Sequence, residues 1–439
     1  MALPVILEPS VLPLNEGQQA AADGFFQFLL GNEKELIISG PGGVGKTFLM
    51  GRLIDQIIPH YQTTCQLMDI PVAYDEVVMT ATTNKAAEVL SASTGRPAQT
   101  VHSLMNLTVT DNYKTGESTI TKKKSWFIHR NKIIFIDESS MIDQQLLNHI
   151  REGTLNCKIV YVGDHCQLAP IKEPISPVYK GNMPFYELTE PMRNSGQPAL
   201  MAICNQLRET VKTGVFNRIK VVPGVIDWLD DDQMEREIQS HFLGADTEAR
   251  ILAYTNARVV AYNDHVRELR HLTQPYTVGE KLINNSAIQM KDGMMSVEEE
   301  VEIISLQDNI EDMEIDDDIH LAVQRADLEN KFGEVYAGMP LPVDKNHYTK
   351  LVQYFAKVKN WNRFFYMKNT FPDLRPRDAA TTHKAQGSSY DTTFIDLGDL
   401  STCRDPNVAA RLLYVAFTRA RNRVVMYGTL AEKFGGLTY

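Results

Sequence analysis

Short apolar runs alternate with amphipathic stretches along the first half of the chain. Leu49, Leu53 and Ile57 recur at helical spacing within residues 48–58, after the first of these runs. Strands rich in β-branched residues and separated by helices are typical of a parallel sheet with helices packed on it. The four strands predicted for this sheet are Glu35–Ser39, Glu76–Thr80, Lys132–Ile136 and Lys158–Val162.

A second set of apolar runs predicts a second α/β domain, with strands at Arg250–Tyr254, Thr393–Leu397 and Arg423–Tyr427. Two inserts follow a different pattern. Residues 107–124 are polar, alternate and contain the turn Lys114-Thr115-Gly116, which predicts a β-hairpin. Residues 276–377 alternate like short antiparallel strands and become helical over residues 348–367. That pattern predicts a small β-barrel with a helical arm.

The predicted architecture is therefore α/β, with two parallel-sheet domains and two inserts. A chain of 439 residues, 43% of them hydrophobic, has enough apolar side chains to fill several cores. We predict these boundaries: the first domain at 1–106 and 126–200, the hairpin at 107–125, the second domain at 201–275 and 378–439, and the barrel with its arm at 276–377.

The net charge and the cysteines exclude several classes of protein. A net charge of −11 argues against coating nucleic acid by bulk electrostatics, although a local groove stays compatible with it. The acidic run at residues 298–318 predicts a solvated sheet face, with a metal or partner site as the alternative. The cysteines form no C-x-x-C pair, which predicts a reducing cytoplasm and no structural metal. They are Cys65, Cys157, Cys166, Cys204 and Cys403.

The N-terminal residues 1–14 are apolar, but they carry no basic residue, and Pro4, Pro9 and Pro13 interrupt them. We therefore expect neither an export signal nor a membrane segment.

A glycine-rich sequence follows the first predicted strand and opens a helix, which is the context of a P-loop. Its backbone N–H groups would surround phosphate oxygens, Lys46 would reach the β- and γ-phosphates, and Thr47 would bind Mg²⁺. A glycine-rich structural turn is the alternative. The predicted nucleotide-binding residues are Gly40, Pro41, Gly42, Gly43, Val44, Gly45, Lys46 and Thr47.

Two carboxylates follow the strand at residues 132–136. Asp137 at a strand's carboxyl end can hold Mg²⁺, and Glu138 can accept a proton from the attacking water, which predicts ATP hydrolysis. A solvated pair of carboxylates is the alternative, and the P-loop weighs against it.

The sequence Val162-Gly163-Asp164 ends the fourth strand, and Gln167 follows at the same edge of the sheet. An amide can donate and accept hydrogen bonds, so Gln167 is predicted to contact the γ-phosphate and to respond to its loss. A structural turn that ends at Pro170 explains these residues equally well.

The motifs resemble, in order from residue 14 to 420, those of superfamily 1B DNA helicases of the Dda-like and RecD-like kind. Besides GPGGVGKT, DESS and GDHCQLAP, they are LNEGQ (14–18), ATTNKAA (81–87), TVHS (100–103), LTEPMR (188–193), AYTN (253–256), THKAQG (382–387) and LYVAFTRA (413–420).

The resemblance implies two RecA-like domains that close on ATP. By position, it implies that Gln18 contacts adenine, that Arg193 and Arg419 reach the γ-phosphate from opposite sides, and that Gln386 and Gly387 lie near the phosphates. Surface arginines in helices are the alternative for both arginines. The catalytic set is then Lys46, Glu138, Gln167, Arg193 and Arg419, with Thr47 and Asp137 at the metal.

The resemblance also implies a set of mostly neutral residues that hold the nucleic-acid backbone by hydrogen bonds. For each of them a local cap or turn is a serious alternative. The residues are Thr83, Asn84, Lys85, His102, Thr255, Asn256, Thr382 and His383.

The two inserts indicate which kind of superfamily 1B helicase this chain resembles. The hairpin resembles the strand-splitting pin of Dda-like enzymes, with Tyr113 as its candidate aromatic residue, while Trp126 is expected in a core. The barrel and arm resemble an inserted SH3-like domain with a helical tower. The arm is short here, which leaves its contact with the hairpin open.

The implied function is an ATP-dependent DNA helicase that uses ATP and Mg²⁺, moves 5′ to 3′ on single-stranded DNA and unwinds forked duplexes. The resemblance also implies a functional monomer, with replication or single-strand-binding proteins as candidate partners, in the cytoplasm of a host cell if a phage encodes it. Two alternatives stay open: a P-loop phosphotransferase that is not a motor, and a nucleotide-switched binding protein of a replication complex.

Overall fold

The computed structural model describes residues 13–74, 76–170, 173–190, 197–244, 247–290 and 293–438. The first lobe is a six-stranded parallel sheet, order β10-β1-β9-β7-β2-β3, with the helices that pack on it. Its strands, together with two short pairs, are β1 (Glu35–Ser39), β2 (Glu76–Ala81), β3 (Ala98–Thr100), β4 (Leu107–Asp111), β5 (Ser118–Lys122), β6 (His129–Arg130), β7 (Lys132–Asp137), β8 (Thr154–Leu155), β9 (Lys158–Gly163) and β10 (Phe185–Glu187). Its helices are α1 (Glu16–Leu30), α2 (Lys46–Arg52), α3 (Ile58–Leu67), α4 (Asn84–Thr94), α5 (Val101–Leu104) and α6 (Gln144–Glu152).

Local sequence explains where these elements begin. Asn15 and Gln18 form a capping box that starts α1. The helix predicted over residues 48–58 is continuous, but a π-helical turn at Leu53–Ile57 joins α2 to α3. The strands β1, β7 and β9 are buried almost throughout, as expected for parallel strands covered on both faces.

The chain then enters a second lobe, a five-stranded parallel sheet of order β12-β23-β22-β13-β21. Its first part contains α7 (Pro198–Thr213), β11 (Ile219–Lys220), β12 (Ile226–Leu229), α8 (Asp231–Phe242), β13 (Ala249–Ala253) and α9 (Asn256–Leu269).

An antiparallel insert interrupts the second lobe, with a five-stranded sheet of order β19-β18-β17-β14-β20. Its elements are β14 (Lys281–Asn284), β15 (Ile288–Met290), β16 (Gly293–Met295), β17 (Glu300–Asp316), β18 (Ile319–Asn330), β19 (Val335–Pro342), α10 (Lys345–Lys357), α11 (Trp361–Thr370) and β20 (Leu374–Pro376). Asp308, Asp312 and Glu314 on β17 are exposed, so the predicted solvated acidic face is confirmed for that part of the run. Glu298 at its start is half-buried and lines a cavity, so the prediction does not hold there. The SH3-like character of this insert stays a prediction.

The second lobe is completed by β21 (Ala379–Thr381), β22 (Tyr390–Asp396), α12 (Leu397–Leu400), α13 (Pro406–Thr418), β23 (Ala420–Tyr427) and β24 (Leu437–Thr438). The predicted pair of parallel α/β sheets is therefore confirmed. Among the described residues, no helix combines the length and the apolar character that a membrane span requires.

The arm, formed by α10 and α11, reaches the β4–β5 hairpin. The rings of Tyr113 and Phe365 lie 5.0 Å apart, and the Asn369 side-chain amide donates to Asp111 at 2.9 Å. Gly116 has a φ of 76°, and a Cβ there would collide with the Trp361 ring. The sequence left this contact open, and the structure shows that the hairpin tip packs on the arm.

Trp126 does not lie in a core, so the prediction for it was wrong. The indole is half-buried, and the Lys122 ammonium lies 4.0 Å from the centre of its ring. Strand β5 ends at Lys122, residues 123–125 after it are exposed, and the Lys122 ammonium lies over the Trp126 ring.

Candidate functional site

The P-loop connects the end of β1 to the start of α2. A Cβ at Gly42 or Gly43 would meet nothing within 4 Å, so the loop borders open space. Gly45, the residue before α2, has a φ of 78°, and no side chain caps this helix. The free N–H groups of its first turn therefore remain available for an anion. The loop fits a nucleotide phosphate.

Lys46 and Thr47 are the first two residues of α2. The Lys46 Nζ donates to the carbonyl oxygens of Gly40 and Pro41 at 2.8 and 2.9 Å, across the opening of the loop. An anionic phosphate oxygen is a stronger acceptor for an ammonium than a neutral carbonyl. Thr47 is half-buried in the same turn.

Asp137 is the last residue of β7 and Glu138 follows it; β7 is separated from β1 only by β9. Glu138 has a φ of 52°, in the left-handed region, and its Oε2 is buried without a hydrogen-bond partner. Burial raises the pKa of Glu138 to about 7, Asp137 adds to the rise, and Arg419 and Lys46 oppose it. A buried carboxylate with a free oxygen and a near-neutral pKa is suited to accept a proton from water.

Gln18 lies against the P-loop, in the first turn of α1. Its side-chain oxygen accepts from the Asn15 backbone N–H at 3.2 Å, and its Nε2 donates to the Val44 carbonyl at 3.0 Å. The residue is completely buried. The amide nitrogen of the predicted adenine-contacting residue thus holds the P-loop, and its oxygen completes the capping box of α1.

Gln167 lies in the loop after β9, at the edge that also carries the P-loop and Glu138. The side chain is 5% exposed, and its Oε1 is buried without a hydrogen-bond partner. A buried carbonyl oxygen without a donor costs free energy unless a ligand or water supplies one. This amide is therefore available to a bound group.

The second lobe closes the other side of this cleft. The Gln386 Nε2 donates to the Ser140 hydroxyl at 2.9 Å, which links THKAQG directly to DESS. Gly387 has a φ of 77°, and a Cβ there would lie 3.9 Å from Glu138 Oε1. Arg419 is buried, and its guanidinium donates to the carbonyls of Ser388 and Val415. Arg193 lies outside the described residues.

Several predicted nucleic-acid residues have local structural roles. Thr83 and Thr255 are the N-caps of α4 and α9, and the Thr382 side chain is completely buried and donates to the Ala253 carbonyl at 3.3 Å. For these three residues the structure shows the local contact that the sequence had left as the alternative. Asn84 and Asn256, which follow the two caps, are exposed.

The two predicted histidines are half-buried, His102 in α5 and His383 in the loop after β21. Burial lowers the pKa of each below its ordinary value. This shift favours the neutral form of both rings, which can donate and accept hydrogen bonds.

A cavity with an excess of positive charge lies where α4, the second lobe and the insert meet. It brings Lys85 and Asn256 together with Arg250, Lys384 and Glu298. Arg250 is 7% exposed, and its Nε and Nη1 have no hydrogen-bond partner. The Arg250 guanidinium lies 4.9 Å from the centre of the Tyr390 ring, and together with Lys85 and Lys384 it gives the cavity a positive charge that suits an anion.

The electrostatics of Tyr390, which also lines this cavity, support the same conclusion. Burial alone would raise the pKa of this tyrosine, but the charges of Arg250 and Lys85 outweigh burial and lower it. Sequence reasoning missed Arg250, which lies in no motif, whereas Lys384 lies within THKAQG and could have been found there.

Asp164, His165 and Cys166 have potential metal-ligating atoms within 4.8 Å of one another, and they are the only such cluster in the described part of the chain. We assign no metal to them. Arg208 and Tyr414 already occupy the Asp164 carboxylate. Burial raises the pKa of the Cys166 thiol to about 12, which disfavours its thiolate form.

Two family profiles match separate parts of the chain. The AAA domain profile matches residues 13–222, and the profile of the UvrD-like helicase C-terminal domain matches residues 378–427. The first match covers the first lobe and the start of the second lobe, and the second match covers the end of the second lobe.

Known proteins match nearly the whole chain. The ATP-dependent DNA helicase dda of Enterobacteria phage T4 is 26% identical over 457 aligned positions, which cover 93% of this chain and 98% of that protein. A structure of two coordinating Pif1 helicases at forked duplex DNA has a TM-score of 0.54 at 15% identity and covers 97% of this chain and 94% of that one. Pif1 from Bacteroides with ADP-AlF3 and single-stranded DNA has a TM-score of 0.52 at 13% identity, with 97% and 95% covered. The two Pif1 structures share the fold.

Proposed function

We propose that this chain is an ATP-dependent DNA helicase of the Dda-like kind in superfamily 1B. The observation that carries the proposal is a nucleotide cleft assembled from both lobes. The P-loop and Glu138 come from the first lobe, and Gln386 and Arg419 from the second. Hydrolysis in such a cleft depends on how the lobes are arranged, so it can change their grip on a strand.

Each residue of the cleft has a proposed task. Lys46 holds the β- and γ-phosphates, Glu138 takes the proton of the attacking water, and Arg419 stabilises charge on the transferring phosphoryl group from the second lobe. Thr47 and Asp137 are the residues that would hold Mg²⁺, which when bound neutralises phosphate charge. Gln167 contacts the γ-phosphate, and Gln18 contacts the adenine by giving up its hydrogen bond to the Val44 carbonyl.

We propose that single-stranded DNA follows the surface that passes the positively charged cavity. Lys85, Asn256 and Lys384 contact its phosphates there, while Asn84, His102 and His383 contact it on either side. The caps Thr83 and Thr255 position their helix N-termini beside the strand rather than offering free side chains. We propose 5′ to 3′ movement from the likeness to the Dda-like family alone.

The two inserts are proposed to separate the strands of a forked duplex. The hairpin at residues 107–125 is braced by the arm through Tyr113 and Phe365, and a rigid wedge suits strand separation better than a mobile one. We propose that the chain acts as a monomer in a cytoplasm, the host's if a phage encodes it. Replication and single-strand-binding proteins are the partners proposed for it.

The test is ATP hydrolysis with and without single-stranded DNA, followed by unwinding of forked, 5′-tailed and 3′-tailed duplexes. We expect hydrolysis to rise at least tenfold with DNA, and ATP to support unwinding of forked and 5′-tailed substrates. A rate of ATP hydrolysis that is the same with and without DNA would favour a phosphotransferase. Unwinding only from a 3′ tail would overturn the polarity and leave the helicase assignment intact.

A further inference from the structure

The loop at residues 164–168 continues from β9 of the first lobe, but its side chains are embedded in the second lobe. Cys166 and Leu168 are 0% and 3% exposed, and they belong to the same buried apolar cluster as Leu412 and Leu413 of α13. Separating them from α13 would expose apolar surface to water. The loop is therefore packed as part of the lobe to which it is not directly connected.

The start of the loop is fixed to the second lobe by a buried ion pair. Asp164 is completely buried, pairs with Arg208 of α7, and accepts from the Tyr414 hydroxyl of α13 at 2.6 Å. Burial alone would raise the pKa of Asp164, but Arg208 and Lys46 lower it below its usual range. Losing Arg208 would leave a buried charge without its partner, which is strongly unfavourable.

Arg411 of α13 holds the end of the loop that carries Gln167. Its Nη1 donates to the carbonyl oxygen of His165 at 2.7 Å and to that of Gln167 at 2.6 Å. The Gln167 backbone N–H closes the turn on the Asp164 carbonyl at 3.0 Å. One guanidinium of the second lobe thus orients the carbonyl groups of the residues immediately before and after Cys166.

We infer that Arg411 is a positioning residue, through which the second lobe sets the position of Gln167 in the nucleotide cleft. This inference rests on the proposed function, because it requires a γ-phosphate for Gln167 to approach. When the second lobe moves, Arg411 moves the Gln167 peptide with it. The amide then reaches its working position only in the arrangement that also brings Arg419 to the cleft.

The first experiment compares Arg411→Met with Arg411→Lys in DNA-stimulated ATP hydrolysis. Methionine keeps the apolar stem and removes the donor, so we expect kcat to fall about tenfold or more while the KM for ATP changes less than about twofold. Lysine has one ammonium that can donate to both carbonyls, and we expect it to restore kcat to within about threefold of the parent. A Met variant with the parent's kcat would overturn the inference.

The second experiment asks whether Arg411 acts through Gln167. If it does, the double variant Arg411→Met/Gln167→Ala has a kcat within about twofold of Gln167→Ala alone. Reductions that multiply would show that Arg411 acts independently of Gln167, and would overturn the inference.

Two controls separate this inference from folding defects and from the proposed function. Arg421→Ala removes an exposed arginine paired with Glu248 and Asp391, and we expect the parent's kcat and melting temperature. DNA binding without nucleotide should be the same in all variants. If the parent chain itself shows no DNA-stimulated hydrolysis, the proposed function fails. If it does, and Arg411→Met matches it, only this inference fails.

Discussion

The carboxyl edges of the two parallel sheets carry opposite chemistry. In the first lobe, the turn from β1 to α2 leaves its backbone donors free, because Gly45 precedes a helix with no side-chain cap. In the second lobe, the turn from β13 to α9 is closed by Asp399. Its carboxylate accepts from the backbone N–H groups of Tyr254 and Thr255 at 2.7 Å each, and from the Thr255 hydroxyl at 2.8 Å.

The difference shows that the fold alone does not create a nucleotide site. In the second lobe, the Asp399 carboxylate accepts from the backbone N–H groups of the turn. In the first lobe, backbone N–H groups of the same kind remain free and can bind a phosphate. The second lobe contributes instead residues that extend toward the first lobe's site, namely Gln386 and Arg419. We propose that this asymmetry gives one nucleotide site among the described residues, which both lobes complete.

The largest expected effect comes from removing the positive charge of Arg419, which the second lobe contributes to the cleft. Arg419→Ala is expected to lower kcat for ATP hydrolysis by about 10³-fold or more, because the proposed role of the guanidinium is to stabilise charge on the transferring phosphoryl group. Nucleotide binding, measured by titration with a fluorescent ATP analogue, should change little. Arg421→Ala is the matched control, and a kcat within about threefold of the parent would contradict the assignment of Arg419.

The first lobe's carboxylate gives the next largest effect. Glu138→Gln keeps the shape of the side chain but removes the base, and we expect kcat to fall by about 10²- to 10⁴-fold with ATP affinity retained. The exposed Glu209→Gln should leave kcat unchanged. Retention of hydrolysis by the Glu138 variant would exclude this residue as the base.

The pH dependence of hydrolysis should report the same carboxylate. Glu138 must be ionised to accept a proton, and with a pKa of about 7 it is mostly ionised at pH 8 and mostly protonated at pH 6. We expect kcat/KM for ATP, which reports the groups of the free enzyme, to fall about tenfold from pH 8 to pH 6. Glu138→Gln should give a profile without this step, and a level profile in the parent would contradict the prediction.

On the second lobe, the expected effect is on stability instead of turnover. Asp399→Asn weakens hydrogen bonds to a charged acceptor, so we expect the free energy of unfolding to fall by about 1.5–3 kcal/mol. Chemical denaturation measures it, and the KM for ATP should not change. A higher KM with unaltered stability would mean that this edge takes part in nucleotide binding.

The smallest effect concerns Thr255, which ends the same turn. Thr255→Ala removes the cap of α9 and should cost about 1 kcal/mol of folding free energy, while Thr255→Ser should retain most of it. We expect affinity for single-stranded DNA, measured by fluorescence anisotropy, to fall only as far as each variant loses stability. It should therefore stay nearer to the parent's in Thr255→Ser than in Thr255→Ala. If the serine variant kept its stability but lost DNA affinity, Thr255 would bind DNA directly.

Sequence reasoning succeeded where the signal is local. The strands β1, β7 and β9 and the P-loop depend on neighbouring residues, so periodicity and the glycine pattern predicted them. Arg411 and Arg208 were missed because their partners at residues 164–167 lie far away in the chain, and only the packing of the lobes brings them together.

The inserts show the same limit. The hairpin was predicted from alternation, but the surroundings of Trp126 depend on where the chain leaves β5, which alternation does not determine. Its contact with the arm depends on Tyr113 meeting Phe365, 252 positions later in the sequence. Such contacts require the three-dimensional arrangement.

The most direct test of the account is strand separation by the parent and by Glu138→Gln on one forked duplex, with ATP hydrolysis measured in the same reactions. We predict that single-stranded DNA stimulates the parent's hydrolysis, that the parent separates the strands, and that the variant binds the fork and ATP but separates none. Strand separation by the variant at the parent's rate would contradict the claim that one site, completed by both lobes, drives the motion.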